Sequence, residues 1–123
     1  MKTQSLMTTP VMDEFRRRLS RERERLLRTV AATDEELATL ESRQPGGLAE
    51  DAAKELVTTV LGRLEDQERH EIEEIDAART RLEAGTFGVC QSFAQPIALA
   101  RLRALPIARY CVRCQARQER LES

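Results

Sequence analysis

Gly85 to Cys114 reads GTFGVCQSFAQPIALARLRALPIARYCVRC, and its cysteines decide how the rest of the chain is read. Cys111 and Cys114 form a C-x-x-C pair. Cys90 opens a second pair, but Phe93 stands where its partner cysteine belongs. Seventeen residues separate Phe93 from Cys111, the spacing of a four-thiolate zinc ribbon. Structural zinc wants a closed tetrahedron, and this chain offers three thiolates and one gap. Two readings stay open. In one, Cys90, Cys111 and Cys114 hold zinc, with water or a neighbouring group as fourth ligand. In the other the segment folds without metal, the Phe93 ring fills the vacated volume, and the buried cysteines act as small hydrophobes. His70 is the chain's one histidine. It lies twenty residues before Cys90 on a helical stretch, about 30 Å away at 1.5 Å per residue, and reads as a solvated residue. A dithiol redox role for Cys111 and Cys114 lacks the βαβ context that such a motif has elsewhere.

The segment resembles the DksA/TraR zinc-finger family in more than its cysteines. That family's pattern runs roughly G-T-Y-G-x-C-x-x-C-G-x-x-I, then R-L-x-A-x-P-x-A, then C-x-x-C. Gly85, Thr86, Phe87, Gly88 and Cys90 match the opening, and Ile97 matches the middle. Arg101, Leu102, Ala104, Pro106 and Ala108 match the second block, and Cys111 and Cys114 close it. Phe93 and Ala94 depart where the family has Cys-Gly, which makes this a variant short of one zinc ligand. The resemblance implies a transcription regulator that binds RNA polymerase directly, with a coiled-coil finger entering the secondary channel and the base gripping the rim.

The whole chain has 123 residues, enough for one domain. Aromatic residues make up 3% and charged residues 33%, which suits exposed helices sharing a narrow seam and not a thick core. The net charge of −1 hides segregation. Residues 1–33 carry eight Lys/Arg against four Asp/Glu, residues 34–83 six against fifteen, and residues 84–123 six against two. An acidic middle is a poor duplex binder, because phosphate neutralisation needs clustered cations. Met1–Pro10 has no apolar core of a secretory signal, and no stretch approaches the length of a membrane helix. An odd cysteine count argues against a disulfide framework, so a cytoplasmic setting is expected.

Outward from the cysteines, hydrophobic periodicity predicts two long helices. Val11, Phe15, Leu19, Leu26, Val30, Leu37 and Leu40 recur at gaps of three, four and seven after Pro10. Thr33-Asp34-Glu35-Glu36 reads either as a capping box that restarts the helix or as a polar patch within it. Gln44-Pro45-Gly46-Gly47 makes a turn. A second stripe is read at Leu48, Ala52, Leu56, Val60, Leu64, Ile72, Ile75, Ala78 and Leu82, ending at Gly85. Two such helices joined by a tight turn lie antiparallel. The expected fold is all-α: a long antiparallel coiled-coil hairpin over residues 1–84 with its tip at 44–51, a zinc-finger-like segment over 85–114, and a short C-terminal helix over 115–123 at the base.

The resemblance also suggests functional positions. The family's finger tip carries two acids. Counting back from Cys90 puts the second at Glu50 and the first at Gly47, with Asp51 adjacent. Acids in a helix's first turn also favour the macrodipole with no other role, the reading preferred for Asp51. At the base, Arg101 is the candidate partner contact. The arginine run from Arg16 to Arg28 is interleaved with Glu14, Glu22 and Glu24 and reads as a solvated helix face. The family's alarmone-binding positions fall near Gln67, Glu74, Leu105 and Gln115, and none is basic, so action without ppGpp is expected. No nucleophile–base pair or phosphate loop is present, so no enzyme activity is expected. The expected partner of this monomer is RNA polymerase, with no membrane and no sequence-specific nucleic acid. The alternative reading is a coiled-coil adaptor or homodimer, which exposed apolar residues on the outer helix faces, with Val57 and Leu61 as candidates, would favour.

Overall fold

A computed structural model describes residues 7–122. The expected first six residues of the hairpin, most of the stretch read for a secretory signal, and Ser123 lie outside the described residues. Four helices follow in chain order: α1 (Thr9–Ser42), α2 (Leu48–Ala84), α3 (Leu99–Ala104) and α4 (Val112–Glu122). The fold is all-α, an antiparallel hairpin of α1 and α2 with the zinc-finger-like segment and α4 at its base. Among the described residues the one β feature is an isolated antiparallel bridge, Val89 to Pro96. None of the described helices is long and apolar enough to cross a membrane.

Pro10 lies in the first turn of α1, where its missing N–H costs nothing. The helix runs unbroken through Thr33, so the capping-box reading fails. Thr33 is buried, and its hydroxyl donates back to the Thr29 carbonyl at 3.0 Å instead of capping a new start. Arg43 to Gly47 form the turn, and α2 begins at Leu48.

Two compact units divide the chain: residues 22–73 form one, and the chain up to Arg21 joins the chain from Glu74 onward in the other. In the first unit, α1 buries Leu26, Val30 and Thr33, with Leu37 and Leu40 half-buried. The facing row on α2 is Lys54, Thr58, Leu61, Glu65, Glu68 and Ile72, all half-buried. This corrects the expected α2 stripe. Leu48 is 91% exposed, and Leu56, Val60 and Leu64 are exposed as well. The reason is geometric. A row at steps of four drifts roughly 40° around the helix per step, while a seam alternates steps of four and three. The sequence 54-58-61-65-68-72 alternates in that way, but polar side chains occupy most of it. Arg69 ties the helices together, meeting Glu65 at 2.8 Å and Asp34 at 3.5 Å.

The second unit holds most of the core. Phe15 and Leu19 of α1, Ile75, Ala78 and Leu82 of α2, and Phe87, Ile97, Leu102 and Ala108 are buried there. Phe15 and Phe87 stack at 5.1 Å between ring centroids, tilted by 51°. Gly85 ends α2 with φ +76°, and Thr86 donates back to the Arg81 carbonyl at 3.0 Å. Gly88 also has positive φ, and a Cβ there would run into Met7 and sit 3.2 Å from Leu102.

Candidate metal centre and partner-facing residues

A short knuckle of backbone positions Cys90. The Ala94 N–H donates to the Cys90 carbonyl at 2.8 Å, and the Cys90 N–H to the Gln95 carbonyl at 2.9 Å. Ala94 has φ +56°, the left-handed conformation that glycine ordinarily supplies. The turn of a metal knuckle is therefore kept although the second cysteine and the glycine are both replaced. Gln91 donates to the Arg109 carbonyl at 2.8 Å, tying the knuckle to the chain that carries Cys111. Arg101 Nε donates to the Tyr110 carbonyl at 2.9 Å, one residue before Cys111. The helix α4 starts at Val112, earlier than the Gln115 expected, so Cys114 sits in its first turn.

Cys90, Cys111 and Cys114 converge, with all three Sγ atoms within 4.8 Å of one another. Tetrahedral zinc at about 2.3 Å from each sulfur would need sulfurs roughly 3.8 Å apart, so small adjustments would close a three-thiolate site. Cys90 and Cys114 are buried and Cys111 is half-exposed. Burial pushes the Cys90 thiol up, but hydrogen bonds to its sulfur from the N–H groups of Cys111, Phe93 and Ser92 outweigh it. Together with a bond from Cys114 they bring it down to about 7. Cys114, hydrogen-bonded to Cys111 and buried beside Cys90, is pushed up to about 11. The backbone donors thus favour the first negative charge on Cys90, the thiolate from which metal binding would start.

Phe93 does not fill the metal volume. Its side chain is 61% exposed. Three sulfurs this close leave no room for a phenyl ring, and the knuckle turns residue 93 outward. The donor set fits zinc at three corners of four, and among the described residues no carboxylate, imidazole or further thiol joins the cluster. His70 is exposed and stands outside it.

The other expected site residues are placed as follows. Glu50 and Asp51 are exposed in the first turn of α2. Asp51 Oδ1 accepts the Gly46 N–H at 3.0 Å, bracing the turn. The Glu50 carboxylate folds back over Gly46, where a Cβ would strike it. Arg101 is half-buried and committed to the Tyr110 carbonyl, and its Nη2 is buried without a hydrogen-bond partner among the described residues. Sequence reasoning missed α3, and it missed Arg109. The Arg109 guanidinium grips Glu74 with two bonds of 3.0 Å, which holds its own charge more firmly. A lone arginine 35 residues from its partner leaves no local signal to read.

Comparison with known proteins agrees with this geometry. Residues 85–120 match the prokaryotic dksA/traR C4-type zinc finger. The chain is 35% identical over 111 residues to the RNA polymerase-binding transcription factor DksA of Caulobacter vibrioides, covering 90% of this chain and 78% of the relative. The solved structure of transcription factor DksA2 from Pseudomonas aeruginosa is similar, with a TM-score of 0.85, 34% identity, and 95% and 89% of the two chains covered. A Chlamydia trachomatis RNA polymerase binding protein shares the fold at a TM-score of 0.58 and 21% identity. An α-helical hairpin, a knuckle that keeps its turn and three converging thiols, with these likenesses over nine-tenths of the chain, place it in the DksA/TraR family, as a variant that has phenylalanine at one zinc-ligand position.

Proposed function

We propose that this chain regulates transcription by binding RNA polymerase directly, its finger entering the secondary channel and its base holding the rim, and that it does so as a cytoplasmic monomer without enzyme activity. The observation that carries the reading is the 35% identity to an RNA polymerase-binding factor across 90% of the chain. The charge layout supports it. Residues 22–73 carry fourteen Asp/Glu against seven Lys/Arg, and complementary charge would speed and orient entry into a basic channel. Functionally the chain divides after residue 84 into the finger and a zinc-finger-like base, whose last thiol, Cys114, is carried on the first turn of α4. Cys90, Cys111 and Cys114 would hold a metal that staples the base, Glu50 would act at the tip beside the bracing Asp51, and Arg101 would shape the base next to Cys111.

Action without ppGpp is part of the proposal. Glu74, near one alarmone position, is acidic and already engaged by Arg109. A tetraphosphate-like ligand needs arginine or lysine at such positions. Pulldown of purified RNA polymerase, followed by transcription with and without ppGpp, tests both points. No retention of polymerase would overturn the reading, and an effect seen only with ppGpp would overturn the independence.

One observation favours the second reading, a coiled-coil adaptor or homodimer. Leu56, Val57, Val60 and Leu64 are all exposed on α2. Light scattering coupled to size exclusion separates the two, since the adaptor reading requires an obligate dimer.

A further inference from the structure

We propose that Cys90, Cys111 and Cys114 form a trithiol site that takes a three-coordinate thiophilic ion, trivalent arsenic in particular, in preference to zinc. The inference concerns this chain's departure from a four-cysteine finger and does not depend on the polymerase reading. Three features carry it. The three Sγ atoms lie within 4.8 Å of one another, a triangle one ion can span. No fourth donor joins them among the described residues, and the side chain at the vacant ligand position, Phe93, is 61% exposed and turned away. Cys90 and Cys114 are 1% and 2% exposed, so two of the three sulfurs would meet the ion out of water.

Coordination number and charge then discriminate between ions. Zinc with three thiolates is one ligand short of its tetrahedron and carries a net charge of about −1. Thiolates prefer soft ions, and trivalent arsenic completes its valence with three sulfurs and no fourth ligand. The reaction is a condensation without redox change. Arsenous acid, As(OH)₃, loses its three As–O bonds and gains three As–S bonds. Each thiol proton leaves with a hydroxide as water, and the product is neutral. A neutral, three-coordinate product suits a site with two of its three sulfurs buried and no fourth donor among the described residues.

The test uses the full-length chain, freed of metal, with arsenite and zinc as probes. Native mass spectrometry should show one arsenic per chain with three waters lost. Chelator competition should show that Phe93→Cys, which supplies the fourth thiol, binds zinc at least about tenfold tighter than the parent chain. Equimolar zinc should fail to displace arsenic from the parent chain. Cys90→Ser should give an adduct that keeps one hydroxyl, with circular dichroism confirming its helices. If that variant does not fold, the parent adduct mass and the zinc comparison decide alone. A parent adduct that keeps a hydroxyl would show that only the C-x-x-C pair reacts, and would overturn the proposal. So would equal zinc affinity in the parent and Phe93→Cys, or ready displacement of arsenic by zinc.

Discussion

Cys90 is where single-residue chemistry is most sharply set. Its thiol is brought down to about 7 in the fold, against an ordinary 9.0, by backbone donors. Cys114 is pushed the other way, to about 11. A depressed folded pKa contributes stability that is present above the unfolded value and lost as pH falls through the folded one. For Cys90 the metal-free chain therefore gains stability between about pH 7 and 9. A raised folded pKa works in reverse, so Cys114 gives up stability between about pH 9 and 11. The expected outcome is a maximum in metal-free stability near pH 9. Thermal melts across pH, with thiolate absorbance recorded alongside, check it, and a flat profile from pH 7 to 11 would contradict the donor arrangement. Gly88 gives a second prediction at this scale. Gly88→Ala forces a side chain into positive φ against Met7 and Leu102, and should cost at least about 1–2 kcal/mol in denaturant unfolding. At the tip, Asp51→Ala should cost about 0.3–1 kcal/mol of helix stability and leave activity largely intact. Glu50→Ala should leave polymerase binding nearly unchanged and remove the transcriptional effect. Paired binding and transcription assays compare the two, and full activity in Glu50→Ala would mean that the finger works by occupancy alone.

The helices were only partly legible from the sequence. α1 was readable because its buried residues, Phe15, Leu19, Leu26 and Val30, are apolar and follow the seam. The N-terminal half of α2 was misread because its seam positions are Lys54, Thr58, Glu65 and Glu68, while Leu56, Val60 and Leu64 form a drifting row of steps of four. A period count rewards apolar identity and is blind to which face is covered. Near the cysteines, the spacing disclosed the cluster, but the outward turn of Phe93 depended on the backbone at Ala94, which no composition rule reveals. The corrected register makes its own prediction. Leu26→Ala, on the buried side of α1, should destabilise by about 2–3 kcal/mol. Leu64→Ala, on the open side of α2, should change stability by less than about 0.5 kcal/mol. In denaturant melts, a cost for Leu64→Ala as large as that for Leu26→Ala would mean that the expected α2 stripe is the true seam.

For the molecule as a whole, charge and packing divide along the same line. Residues 22–73 are acidic and thinly packed, whereas the rest carries the aromatic pair, the cysteines and most of the buried side chains. Association with polymerase should therefore slow as salt rises, with a smaller effect on dissociation. Stopped-flow binding at two ionic strengths measures this, and an on-rate indifferent to salt would remove charge from the docking mechanism.

The polar α2 seam also bears on how the chain breathes. Glu65 and Glu68 each keep a buried carboxylate oxygen without a hydrogen-bond partner among the described residues, and the apolar side chains that would tighten the hairpin lie on the wrong face. Such a segment is expected to open at lower free energy than its neighbours, as a separate foldon. Amide exchange should be fast along residues 48–68 while the amides of Ile75 to Leu82 stay protected. On the proposed reading, unzipping confined to residues 48–68 would let the finger adapt to a confined channel without disturbing the cysteine-bearing unit.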